Sequence, residues 1–249
     1  MNRAFYTGRT GLMAYQGGLD VASHNLVNSG TYGYKGTKSE FRELLNNNMD
    51  ANKNRELPEG EKLLAGTGVK LANQDLLFTQ GALQTTNHPL DFAIAGEGLF
   101  AVQTANGIEY TRSGAFNISL EGNNAYLVTP EGGYILDADR NRIPVDYDAG
   151  TNTLNEDNLA GRIGVFTFTN PYGLTRADGA SFRESELSGP AEVAPGGTYE
   201  LKQQMLERSN TDVAQTMADV IVLQKAYQLS ARVVTTADEV EQVITSLRG

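Results

Sequence analysis

The chain has 249 residues, 40% of them hydrophobic, with a formal net charge of −10 and a pI near 4.7. It has no cysteine, which excludes structural disulfides, thiolate catalysis and cysteine–zinc sites. The acidic balance argues against nucleic acid, whose affinity rests on Lys and Arg meeting phosphates, and no run approaches the ~20 apolar residues of a membrane span.

The chain opens MNRAFYTGRTG, without the apolar core and cleavage site of a secretory signal. The expectation is either a cytoplasmic protein or one exported by a route that reads no cleavable signal. Phe5, Leu12, Leu19 and Leu26 then recur every seven residues, with Gly8, Tyr15 and Ala22 three residues after the first three. This period of 3.5 predicts a helix over about residues 3–27 that packs along another helix. Gly8, Gly11, Gly17 and Gly18 each cost it ~0.5–1 kcal/mol relative to alanine, so it needs a partner to form. It ends in SHNLVNSGTYGYKG, where Asn25 can bond exposed backbone and Asn28 and Gly30 suit a left-handed helix stop. Gly33 lets the chain turn outward, and Tyr34 and Lys35 can anchor it on a neighbour. These residues read as a redirecting corner rather than a small-molecule site.

Residues 28–65 show neither period and read as an extended connector. From 66 to 206 short β runs alternate with Gly, Asn and Pro, including FAIA (92–95), LFAV (99–102) and IGVFTFT (163–169). This predicts an all-β domain of many hairpins. Residues 207–249 form the last segment, where Val213, Met217, Val220, Leu223, Tyr227, Val234 and Ile244 fall on one period of three or four. Asp212 and Gln215 supply an N-cap and its reciprocal partner. The fold class is therefore α+β: a mainly-β central domain flanked by long N- and C-terminal helices that form a coiled-coil pair.

Candidate chemistry fails at its contexts. Gly96-Glu97-Gly98-Leu99-Phe100-Ala101 imitates a dinucleotide fingerprint, but a strand rather than a helix follows, so it reads as a hairpin turn. Asp137-Ala138-Asp139-Arg140-Asn141 starts like a calcium loop, but Arg142 stands where the sharp turn demands glycine. His24 and His88 lie in no metal or triad spacing. No catalytic residue, cofactor site or metal site is assigned. A glycan-active enzyme on a β scaffold would need two carboxylates about 5–10 Å apart across a groove, which sequence alone leaves open.

Five stretches, in order, closely resemble the bacterial flagellar rod and hook axial proteins. They are Leu19 to Asn28 with Gly33-Tyr34-Lys35, then Gly66 to Val69 with Phe78-Thr79-Gln80-Gly81-Ala82-Leu83-Gln84. Leu90 to Ile94 with Gly98-Leu99-Phe100, Tyr110 to Phe116, and Leu206 to Asn210 with Gln224 to Tyr227 complete the set. The short length and FTQGALQ look most like the distal-rod type. Tyr34 stands where the family usually has Phe, and Val27 where it has Ala.

The resemblance implies a non-enzymatic structural subunit. It would leave the cell through the flagellar export apparatus and polymerise, with itself and with other rod and hook subunits, into a helical tube that carries torque. It implies no nucleic acid partner and no membrane insertion. Phe5, Leu12, Tyr15, Leu19, Leu26 and the C-terminal seam would form the assembly interface, and Asn25, Asn28, Gly33, Tyr34 and Lys35 the corner. A hook or hook-associated subunit, or a self-contained β-domain binding module, are the alternative readings.

Overall fold

The computed structural model describes residues 3–45, 47–48, 64–121, 124–145, 147–148, 153–154, 159–177 and 179–247. The fold is α+β, mainly β, with one long helix near each end. It divides into two compact units, one from residues 1–27, 37–75 and 212–249, the other from residues 28–36 and 76–211.

In the first unit the helix Arg3–Val27 packs against the helix Val213–Ser246. Gly8 lies against Val234 and Ser230, and Gly18 against Leu223, so the two run antiparallel. The contact face of the first helix is built of small residues: Gly8, Gly11, Ala14, Gly18 and Ala22 are buried. A methyl group on Gly8 would stand 2.8 Å from Val234 Cγ2, and one on Gly18 2.7 Å from the Phe41 ring. The glycines that weaken this helix in isolation are therefore what allow its close approach. Asp212 caps the second helix, its carboxylate accepting from the Ala214 and Gln215 amides. Gln215 does not return the bond; its side chain donates to Asp219, one turn on.

Part of the connector is ordered strand: Thr37–Glu43 pairs with Val69–Leu76. The Asn25 amide closes the helix onto this ribbon, donating to Thr37 O at 2.7 Å and accepting from Thr37 N at 2.9 Å. Asn28–Gly30 is one 3₁₀ turn, and within residues 25–36 the left-handed backbone falls at Gly33, φ 70°.

The second unit is built on an antiparallel sheet of ten strands among the described residues. Leu99–Thr104 is its centre, pairing with Gly107–Thr111 on one side and with Tyr134–Ile135 and Val165–Thr167 on the other. Alternation sends Phe100 and Val102 into one core with Phe92, Ile94, Phe116 and Leu127. Leu99 and Ala101 enter a second core with Tyr110, Phe166, Phe168 and Phe182. Both faces of this strand are thus buried, which is why LFAV reads as a continuous apolar run. The Gly96-Glu97-Gly98 turn is not a hairpin as expected: Phe92–Gly96 pairs with Tyr199–Gln203, so the turn passes between two different sheets.

Candidate functional site

Within the second unit, residues of three other motif stretches bond Glu207, and a fourth is reached through Arg112. Its side chain is fully buried at 0% exposure, and Lys35 and Arg112 are 2% and 5% exposed. Lys35 Nζ donates to Glu207 Oε1 at 2.6 Å, Arg112 Nε to Oε2 at 2.5 Å, and the Gly81 amide to Oε1 at 2.9 Å. The second acceptor of Lys35 is Thr79 O at 2.8 Å. The rest of the Arg112 fork caps backbone, donating to the carbonyls of Ile94, Gly96 and Gly98. Such saturation is what lets charges stay inside a protein, because a buried ion lacking partners loses its hydration uncompensated.

The surrounding backbone is drawn in just as tightly. Gly33 N donates to Glu207 O at 2.8 Å, and a Cβ on Gly33 would lie 2.3 Å from Ser113 N. A Cβ on Gly81 would lie 2.0 Å from Arg208 O. Asn210 finishes the arrangement: its Oδ1 accepts from Gly36 N and its Nδ2 donates to the carbonyls of Leu77 and Thr79. Tyr34 and Lys35 are therefore buried in their own chain, Tyr34 beneath the Arg176 guanidinium at 4.7 Å.

Burial pulls the Lys35 pKa below its ordinary 10.5, outweighing the attraction of Glu207. Between that lowered value and 10.5 the unfolded chain binds more protons than the folded one. Stability therefore rises with pH across this window as Lys35 sheds its buried charge. Tyr110 shifts upward through burial and its bond to Glu184, and works in the opposite sense at higher pH. Comparing wild type with Lys35→Met isolates the lysine. The urea midpoint of wild type is expected to gain on that of the variant as pH approaches ~10; a constant difference would show that burial does not govern Lys35.

The predicted helix residues are placed differently. Leu223 is buried against the N-terminal helix; Leu12, Tyr15, Leu19, Leu26, Val220, Tyr227 and Val234 are half-buried; Phe5, Val213, Met217 and Ile244 are exposed. The Tyr15 ring meets Phe41 at 5.7 Å. On the C-terminal helix, Thr216, Val220, Leu223, Tyr227, Ser230, Val234 and Ala237 form the stripe turned toward its partner. A second stripe, Val222, Leu229, Val233, Val240 and Ile244, is exposed, with Val222 at 65% and Leu229 at 61%. At ~100° per residue it lies about a third of a turn from the first.

In the hub the motif residues tie one backbone segment to another, the arrangement of a structural protein. Family models agree with that class. Residues 202–247 match the flagellar basal body rod FlgEFG protein C-terminal model, and residues 93–159 the flagellar hook protein FlgE/F/G D1 domain. The chain is 30% identical to the flagellar basal-body rod protein FlgG of Bacillus subtilis, over 100% of both chains. It is 34% identical to FlgG of Agrobacterium fabrum over 98% of each, and 31% identical to the B. subtilis flagellar hook-basal body complex protein FlhP over 100% of both. The chain belongs to the flagellar basal-body rod and hook protein family, whose members are structural and not enzymes.

Arg112, Glu207, Gly81 and Asn210 lie inside the motif stretches but were not among the predicted site residues. The available signal was charge placed in otherwise apolar or turn-like motifs: YTRSGAF carries Arg112, and LERSN carries Glu207 and Arg208.

Proposed function

We propose that the chain is a structural subunit of the flagellar basal-body rod, of the distal type. It polymerises through its terminal helices, paired as a coiled coil, into a helical tube that passes torque from motor to hook. The observation that carries this reading is the second apolar stripe of the C-terminal helix. Five aliphatic side chains at heptad-like spacing in water are a cost to a monomer and a ready seam for another helix. Burying them against further copies would contribute ~25 cal/mol per Å² of apolar area. The same contact repeated head to tail gives an open helical polymer when its rotation does not close. Other rod and hook subunits and the export apparatus are the further partners in this reading, and the flagellar basal body its location. No helix among the described residues is long and apolar enough to cross a membrane.

The test is a Leu229→Asp, Val233→Asp double variant. Both side chains already face solvent, so thermal unfolding of the dilute monomer is expected to change little. Polymer formation by sedimentation, and swarming of a complemented deletion strain, are expected to be lost. Wild-type assembly by this variant would remove the stripe from the interface. A self-contained binding module draws some support from the pairing of the two helices within one chain. Trypsin digestion of the monomer separates the readings: a core near residues 66–205 fits assembly-coupled ends, and intact ends fit the module.

A further inference from the structure

The hub joins two segments that are remote in the chain but equivalent in position. Gly33–Gly36 leads out of the N-terminal helix, and Leu206–Asn210 leads into the C-terminal one. We propose that Glu207 is the keystone of a latch that makes the docking of these two segments mutually dependent, so that they order on the β-rich unit together or not at all.

Each segment supplies the other's partners. Four hydrogen bonds join them directly: Gly33 N to Glu207 O at 2.8 Å, Lys35 Nζ to Glu207 Oε1 at 2.6 Å, Asn210 N to Tyr34 O at 3.4 Å and Gly36 N to Asn210 Oδ1 at 2.8 Å. Without the 206–210 segment, Lys35 would lose the carboxylate that holds its charge, with only Thr79 O remaining to it. Without 33–36, Glu207 would keep Arg112 and the Gly81 amide, but the Glu207 carbonyl and the Asn210 side-chain oxygen would lose their donors. Undocking either segment alone thus strands buried polar groups of the other, and that costs more than undocking both into water. The sheet has no such dependence. Its strands Leu99–Thr104 and Gly107–Thr111 are paired with each other and filled from both cores. Opening of the two segments with the sheet intact would then be a single cooperative sub-global event.

The consequence is that a subunit presents both helix-leading segments in a set register, or neither. This rests on the geometry of the hub and not on the assembly reading, and it is measured on the dilute monomer. The experiment is amide hydrogen exchange, read by peptide mass, on the full chain and its Glu207→Gln variant. Protection in peptides covering 30–36 and 205–211 is expected to fall together, by tenfold or more, while peptides across 99–111 keep theirs. Loss confined to 205–211 would overturn the proposal. Should Glu207→Gln open the sheet as well, Lys35→Met decides, because it leaves the Arg112–Glu207 pair in place. Loss at 205–211 alongside 30–36 in that variant supports the latch; loss at 30–36 alone overturns it.

Discussion

A Gly33→Val variant is expected to lose both stability and motility. Gly33 sits at φ 70°, where a side chain costs ~1–2 kcal/mol through its clash with the following carbonyl. A β-branched side chain is worse placed there than alanine. Its Cβ would lie 2.3 Å from Ser113 N and 2.6 Å from Arg112 C, both backbone, so the chain must move rather than a rotamer. That movement breaks the Gly33 N–Glu207 O bond and disturbs Lys35 above the buried carboxylate. The total is about 3 kcal/mol or more. In urea this would appear as a lower midpoint of the full chain, and on soft agar as loss of swarming by the complemented strain. Gly33→Ala should fall between, since it meets the same strain with less bulk. A midpoint unchanged in the valine variant would mean that the corner has another conformation.

An equally large effect is expected from Arg112→Met. Methionine fills much of the volume, but it leaves three backbone carbonyls without their charged donor and Glu207 with Lys35 and the Gly81 amide alone. Removing one partner of a buried pair costs ~3–5 kcal/mol. Arg112→Lys should recover only part of it, because an ammonium cannot span the carboxylate and the turn carbonyls as the planar fork does. Denaturant midpoints of the two variants check this ordering, and a lysine variant as stable as wild type would show that the fork geometry is dispensable.

Much of the architecture was legible in the sequence. Period 3.5 marked both helices, Asp212 marked where the second begins, and FAIA and LFAV marked two of the strands. The faces were harder. Periodicity establishes that a helix has a stripe, but Leu12 and Leu19 lie beside the buried one, which is lined by Gly8, Gly11, Ala14, Gly18 and Ala22. A glycine registers in sequence as lost propensity; its value as a socket for Val234 or Leu223 exists only once the partner is known. The hub was hidden for a different reason. Lys35 and Glu207 stand 172 residues apart, and Arg112 and Glu207 95 apart. Local patterns carry no information on such pairs. What could be read was that GYK, TQG, YTRSG and LERSN belonged together; what each did for the others could not.

The unequal length of the antiparallel helices has a consequence at one end of the pair. With Gly8 against Val234, the 25-residue helix is exhausted before the 34-residue one, and every described side chain after Ala237 is exposed. A run of two or three helical turns is marginal in water on its own. In dilute solution this tail should fray, and its order should depend on protein concentration rather than on temperature alone. Any row of such pairs joined end to end would satisfy the tail of each member except the last, so that one terminus of the row is always softer than the other.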